Sequence, residues 1–353
     1  MQEETQNVND ERELYENFRI EVEKGKTLLR IDKYLMSRIE GSSRNKIQTA
    51  AKAECIKVND KPVKSNYRVK PGDVIQLFLT TPPQSIEIVP QDIPIDVVYE
   101  DDDVIVVNKP SSMVVHPGYG NYSGTLLNAL AFHFQNQKNK EGETPKPLLV
   151  HRIDKDTTGL LLVAKNEYSQ TFLAKQFFEH SIERKYTALV WGDVSEEEGT
   201  IEGNIGRSLK DRKVMTVFPD GEHGKPAVTH YNVLRRFGYI SEIQCRLETG
   251  RTHQIRVHMK SIGHPLFGDR TYGGDQILKG TTFSKYKQFV ANCFQILPRQ
   301  ALHASTIGFL HPTSGERMLF SSQLPEDMQT HLFLFLLPAP CLEVRHLSAV
   351  QYL

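Results

Sequence analysis

The sequence predicts an α+β protein, with a small N-terminal α/β module ahead of a larger domain built on a mixed, largely antiparallel sheet with flanking helices. Three observations carry this. At about 150 residues per domain, 353 residues give two domains and enough chain to bury a core. Strand-like apolar runs recur through the second part of the chain without regular β-α-β alternation, which argues against a parallel doubly wound sheet. A basic segment precedes them: Lys26 to Thr80 holds 12 Lys and Arg against 5 Asp and Glu, net +7, although the whole chain balances 43 against 43. That local charge bears on a nucleic-acid partner, and the whole-chain balance does not.

In chain order, residues 1–24 are acidic and poor in apolar anchors and read as a disordered tail. A module follows over residues 25–80. Leu28, Ile31 and Leu35 fall at helical spacing, and Ser42-Ser43-Arg44 offers an N-cap for a second helix through N-K-I-Q-T-A-A-K-A. I-K-V-N-D-K and R-V-K-P-G-D-V-I-Q-L-F-L alternate and carry turn signals at Asn59-Asp60 and Pro71-Gly72, which suggests a small β unit. Thr80-Thr81-Pro82-Pro83 reads as a linker.

The larger domain spans 81–330. Its strand candidates are V-V-Y-E, V-I-V-V-N-K, G-L-L-L-V-A-K, K-Y-T-A-L-V-W-G, Y-N-V-L-R-R-F and S-E-I-Q-C-R-L-E. Two helices stand out, L-L-N-A-L-A-F-H-F and S-Q-T-F-L-A-K-Q-F-F, and Asn136 to Pro147 is a polar surface loop. Alternation in T-H-Q-I-R-V-H predicts a strand that puts His253 and His258 on opposite faces. Residues 331–353 form an atypical tail, apolar and interrupted by Pro338 and Pro340.

Several chemistries are excluded. The four cysteines lie far apart with no C-x-x-C pair, so neither a disulfide framework nor a thiolate zinc site is expected. G-E-H-G-K-P has the wrong spacing for a phosphate loop, and Gly118, Gly120 and Gly124 give only an imperfect dinucleotide pattern. His253 and His258 are five apart, without the spacing of a zinc pair. No cofactor and no metal are expected. The N-terminus lacks a signal-peptide pattern, and the Leu332–Leu337 run is far shorter than the roughly 20 residues a membrane helix needs. A cytoplasmic protein with no membrane partner, acting as a monomer, is the expectation.

One segment carries chemistry: V-H-R-I-D-K-D-T-T-G-L-L-L-V-A-K, Val150 to Lys165, sets two carboxylates and two hydroxyls at the entrance of a buried strand. For an arbitrary sequence this is a turn feeding a strand. Here the string resembles the signature H-R-L-D-x-x-T-S-G-L-L-L-x-A-K of the pseudouridine synthases that act on large-subunit ribosomal RNA. D-V-I-V-V-N-K-P-S-S-M-V-V-H-P-G, S-I-E-R-K-Y-T-A-L-V-W-G, L-E-T-G-R-T-H-Q-I-R-V-H and R-Q-A-L-H-A extend the resemblance in the right order. Residues 28–79 resemble the small RNA-binding module shared with a small-subunit ribosomal protein, with Glu54 and Asp60 at positions where that module has glycine.

The resemblance implies isomerisation of specific uridines to pseudouridine, with large-subunit ribosomal RNA as partner. It assigns the reacting carboxylate to Asp154, an active-site tyrosine to Tyr186, and to Arg251 the arginine that pairs with the carboxylate. Arg152 is implied to hold the flipped nucleotide, and Lys109, His151 and Thr158 are further substrate-binding candidates. An ionised carboxylate suits this chemistry as nucleophile at the anomeric carbon or as base at its neighbour, because the departing base leaves oxocarbenium-like charge. Asp156 competes from within the motif but occupies a variable position. A transfer-RNA or dual-specificity synthase, a non-catalytic ribosome-assembly factor and a hydrolytic glycosidase are the other readings.

Overall fold

The computed structural model describes residues 15–22, 29–36, 39, 44–79, 88–118, 121–138, 142, 144–211 and 214–336. The chain divides into two compact units, residues 1–87 and 88–353. The linker at Thr80–Pro83 and the Ser42-Ser43 cap lie outside the described residues.

The first unit contains β1 (Tyr15–Glu21), α1 (Ile31–Met36), α2 (Arg44–Lys52), β2 (Ile56–Val58), β3 (Lys61–Pro62) and β4 (Val74–Leu79). Its antiparallel sheet runs β1-β4-β2-β3. The first strand corrects the reading of residues 1–24 as disordered: residues 15–21 pair along β4, an edge whose hydrogen bonds outweigh a local excess of acid. Ile31, Leu35, Ile47, Ile56, Val58 and Ile75 form the core of this unit. Glu54 and Asp60 adopt φ of 58° and 64°, so the side chains standing where the related module has glycine occupy left-handed backbone. Asn59 at 50° joins Asp60 in a two-residue hairpin loop with both φ positive, as a primed turn requires.

A fully buried Asp32 organises the basic residues of this unit. It accepts from Arg30 (2.9 and 3.2 Å), Arg44 (3.2 Å) and Gln48 (3.2 Å). Burial alone raises its pKa, but the bonds from Gln48, Arg30 and Arg44 win and hold it below the usual aspartate value. Arg30 and Arg44 thereby sit half-exposed on a common anchor.

The second unit contains β5 (Asp96–Glu100), β6 (Val104–Lys109), α3 (Leu126–Phe134), β7 (Leu148–Leu149), β8 (Thr158–Ala164), α4 (Glu167–Phe178), β9 (Glu183–Trp191), β10 (Glu198–Arg207), β11 (Met215–Phe218), β12 (Lys225–Arg236), β13 (Ile240–Leu247), α5 (Gln254–Ser261), α6 (Ser284–Ile296), β14 (Leu302–Leu310), β15 (Arg317–Ser321) and α7 (Glu326–Leu336). One sheet runs β11-β10-β12-β13-β9-β14-β8-β6-β5. Among the described strands, β14 with β8 is the one parallel pair; the rest are antiparallel. This is the mixed, largely antiparallel sheet that the strand runs predict.

Both faces of its centre are covered, which explains why β8 is buried at every residue. Alternate side chains go to opposite cores. Leu161 and Val163 join Ile105 and Val107 with Leu126, Leu130 and Phe134 of α3. Leu160, Leu162 and Ala164 join Val104 and Val106 with Leu173 of α4. A third core around Trp191 and Phe267 receives Met328 and Leu332 of α7.

Three expectations are corrected here. T-H-Q-I-R-V-H is not a strand: it enters helix α5, six of whose residues are buried, so its apolar alternation reflects enclosure on all sides rather than one covered sheet face. Helix α6 stands where no helix was expected. The tail expected from residue 331 begins inside α7, where His331 and Leu332 are buried, because the helix places them against Phe267. Residues 337–353 lie outside the described residues. No helix of the described chain is long and apolar enough to cross a membrane.

Gly159 sits where β8 and β14 meet in parallel, opposite Ala304. Its φ is +108°, and a Cβ there would lie 2.3 Å from the Ala304 carbonyl oxygen. Gly159→Ala is therefore expected to destabilise the larger unit by more than about 3 kcal/mol, since backbone must move. A lowered thermal transition of that unit checks it, and an unchanged transition contradicts the close approach.

Candidate active site

The turn that precedes β8 is closed by the Thr157 amide donating to the Asp154 carbonyl at 3.1 Å. It carries the Asp154 side chain to the wall of a cleft of about 780 Å³. The cleft is walled by Ile153, Tyr186, Leu247 and Leu302, with Arg152, Arg184, Arg251 and Arg256 among its polar lining. A second cleft of about 440 Å³ shares Arg152, Asp154, His253 and Arg256 with the first.

Asp154 is a quarter exposed and accepts from Arg256 Nη1 at 2.9 Å. The other edge of Arg256 forks onto Asp269, Nε to Oδ2 at 2.7 Å and Nη2 to Oδ1 at 2.9 Å. Asp269 is fully buried and also accepts the amides of Thr271 and Tyr272. The guanidinium lies over the Tyr272 ring, 5.0 Å from its centroid. Burial works against the charge of Arg256, but Asp269 and Asp154 more than offset it, and its pKa is raised. His253 stands beside this chain, Nδ1 at 2.8 Å from the Tyr272 hydroxyl and Nε2 at 4.0 Å from Asp154. Burial pulls its pKa below the usual histidine value, with Asp154 opposing.

Arg251, expected to pair with the carboxylate, instead donates Nε to the Pro226 carbonyl at 3.0 Å. The correction follows from the helix. In α5 the side chain one turn after His253 is Arg256, and it is this one that reaches Asp154. The T-G-R-T-H-Q loop is tied by Gln254, whose Oε1 accepts from the Arg251 amide and the Thr249 hydroxyl. His253 and His258 have separate partners, Tyr272 and Thr229.

Tyr186 lies on β9, opposite Cys245 of β13 and Ala304 of β14, and is almost fully buried in the cleft wall. Burial raises its hydroxyl pKa above the usual tyrosine value, with Arg184 opposing. Arg152 is exposed and lines both clefts. His151 lines the larger one, but its Nε2 accepts from the Leu162 amide at 2.9 Å and its ring stacks on Phe177. Burial, helped by Arg184, pushes it down to about 3, so it is neutral.

Two other candidates line neither cleft. Lys109 is 1% exposed and donates to the carbonyls of Pro110, Met113 and Lys155. All three ammonium donors are used, which fits the charged form, although burial pushes its pKa down to about 7 against the pull of Asp156. Thr158 is buried with its hydroxyl 2.9 Å from His303 Nδ1. Lys109 supports the turn through the Lys155 carbonyl, and Thr158 ties the start of β8 to β14.

The residues that motif reading passed over are Arg256, Asp269 and His253. A helical reading of T-H-Q-I-R-V-H was the available signal for Arg256. Asp269 lies in S-I-G-H-P-L-F-G-D-R-T-Y-G-G, a segment that shares the family resemblance, but its role exists only through a guanidinium 13 residues earlier.

Residues 103–261 match the family described as RNA pseudouridylate synthase, and residues 29–75 match the S4 domain. A Chlorobaculum parvum protein named "uncharacterized RNA pseudouridine synthase" is 48% identical over 88% of this chain and 95% of its own. The ribosomal large subunit pseudouridine synthase D of Zymomonas mobilis is 42% identical over 85% of this chain and 92% of its own. The RNA pseudouridine synthase 2, chloroplastic, of Arabidopsis thaliana is 37% identical over 88% and 80%. The human RNA pseudouridylate synthase domain containing 4 shares the fold, with a TM-score of 0.53 at 22% identity over 68% of this chain and 92% of that one.

Removing Arg256 leaves the fully buried Asp269 without its cationic partner. Arg256→Gln is expected to cost about 3–5 kcal/mol of stability, whereas Arg251→Gln, on a partly exposed loop, costs within about 1 kcal/mol. Urea unfolding of the two variants checks the contrast, and equal losses would refute the assignment of the buried pair.

Proposed function

This chain belongs to the RNA pseudouridylate synthase family and isomerises uridine in RNA, and from that premise we propose that large-subunit ribosomal RNA is its substrate and Asp154 its reacting carboxylate. The observation that carries the site reading is the Arg256 bond to Asp154 at the wall of a cleft large enough for a flipped nucleotide. Relatives named for the ribosomal large subunit, covered over nearly their whole length, support the substrate.

The target uridine leaves its stack, at a cost of a few kcal/mol, and enters the cleft. Arg152 and Arg184 meet its phosphates there, and Tyr186 packs on the uracil. Asp154 acts at the sugar, as nucleophile on the anomeric carbon or as base on the neighbouring one, while the glycosidic bond to nitrogen breaks and negative charge passes to the uracil. The freed base turns within the apolar wall of Ile153, Leu247 and Leu302 and re-attaches through carbon 5. Re-attachment frees Asp154 from the sugar, or returns to the neighbouring carbon the proton it had taken. The carbon 5 proton is then lost to solvent and nitrogen 1 takes one up, with the protonated, buried Tyr186 hydroxyl next to the path. Arg256 takes the part that motif reading gave to Arg251, holding Asp154 in orientation.

The S4 domain brings further RNA contacts, with Arg30 and Arg44 displayed on Asp32. Action as a monomer and, with a ribosomal substrate, a cytoplasmic location complete the proposal.

Asp154→Asn should abolish release of tritium from carbon 5 of uridine in transcribed ribosomal RNA while leaving RNA affinity nearly intact. Asp156→Asn should keep most of the rate, because the Asp156 contact seen here is made by its carbonyl. Turnover by a folded Asp154→Asn protein would overturn the assignment.

The substrate is tested by mapping pseudouridines in cells with and without the gene. Loss at a few neighbouring large-subunit positions is expected. Loss confined to transfer RNA would transfer the activity to the alternative substrate.

A further inference from the structure

The backbone of the Asp154 turn is gripped at two successive carbonyl oxygens. That of Lys155 accepts from Lys109 Nζ at 2.9 Å, and that of Asp156 accepts from Arg299 Nη1 at 3.0 Å. Arg299 is 7% exposed. Its Nη1 also donates to the carbonyls of Gln300 and Leu302 at 3.1 and 3.3 Å, gathering the turn and the start of β14 onto one nitrogen. The next residue reinforces this, with Gln300 Nε2 3.4 Å from the Thr157 hydroxyl.

The other edge of this guanidinium is fully used. Nε and Nη2 fork onto the two oxygens of Asp327 at 2.7 and 2.9 Å. Asp327 stands in the first turn of α7, which Met328 and Leu332 fix in the third core. A planar fork needs both carboxylate oxygens to fix its plane. Without them Nη1 is free to swing away from the three carbonyls. An error of about 1 Å in a reacting group costs on the order of a hundredfold in rate.

We propose that Arg299 and Asp327 form a positioning pair that fixes the turn bearing Asp154, so that isomerisation depends on helix α7. The proposal rests on the reading of Asp154 as the reacting carboxylate. Neither residue needs to touch the RNA, because the connection runs through backbone oxygens.

The full chain is assayed in single turnover on large-subunit ribosomal RNA transcribed with tritiated uridine, alongside RNA affinity and thermal melting. Asp327→Asn and Arg299→Lys, the second keeping the charge but losing the fork, should each lower the rate by about 10- to 100-fold with affinity within about twofold. The double variant should be no slower than the slower single one, because both remove the same connection. If Asp327→Asn melts below the assay temperature, Arg299→Lys decides. An unchanged rate in a folded variant, a loss that follows RNA affinity, or additive losses in the double variant would overturn the proposal. Failure of the underlying reading shows separately, as turnover by Asp154→Asn.

Discussion

Everything at this site depends on a guanidinium that has been taken out of water. Arg256 spends two donors on Asp269, which is itself fully buried, and has Nη1 left to aim at Asp154. A buried carboxylate and a buried guanidinium are costly apart and tolerable together. The fork also fixes a plane, which an exposed pair would not do. Tyr272 closes the arrangement, with its ring under the guanidinium, its amide on Asp269 and its hydroxyl on His253. The carboxylate in the cleft is thus met by a donor whose direction is set by residues that do not face the cleft.

The second constraint is the junction of β8 with β14. Antiparallel neighbours surround these strands, yet here the two run parallel for His303–Thr158 and Ala304–Gly159. The approach is close enough that only glycine fits opposite Ala304. A strand that begins at such a junction must be entered by a turn, and that turn cannot use sheet hydrogen bonds for its outward carbonyls. Buried Lys109 and Arg299 supply the missing donors. Lysine and arginine, which composition alone would assign to RNA contacts, therefore serve two purposes in this chain. Arg30, Arg44 and Arg152 are displayed at the surface, while Lys109, Arg256 and Arg299 hold backbone and carboxylates inside.

Much of this was legible before any coordinates. The α+β class followed from apolar runs lacking β-α-β alternation, and β8 was visible as a continuous apolar stretch because it is covered on both faces. The resemblance singled out Glu54 and Asp60 as standing where the related module has glycine, and both occupy left-handed backbone. The string around Asp154 pointed to its turn because the type and spacing of its residues are local properties, set within a few peptide units. The same locality explains the error at T-H-Q-I-R-V-H. A helix enclosed on all sides has no polar stripe, so its period is hidden, and a chance alternation imitates a strand.

What the sequence determined by itself is the set of elements, the basic module ahead of the sheet and the motif turn with its carboxylate. What only the tertiary structure decided is who meets whom. Asp154 is met by Arg256 rather than Arg251, Lys109 holds the backbone of the turn and Thr158 bonds His303 rather than lining a cleft, and Arg299 ties Asp156 to a helix whose Asp327 lies 28 residues further on. Backbone preference and hydrophobic period act over a few residues and leave their mark in the local string. The partner of a buried charge is selected by which groups the packed sheet brings within 3 Å after all of the water has left, and that selection has no local signature to read.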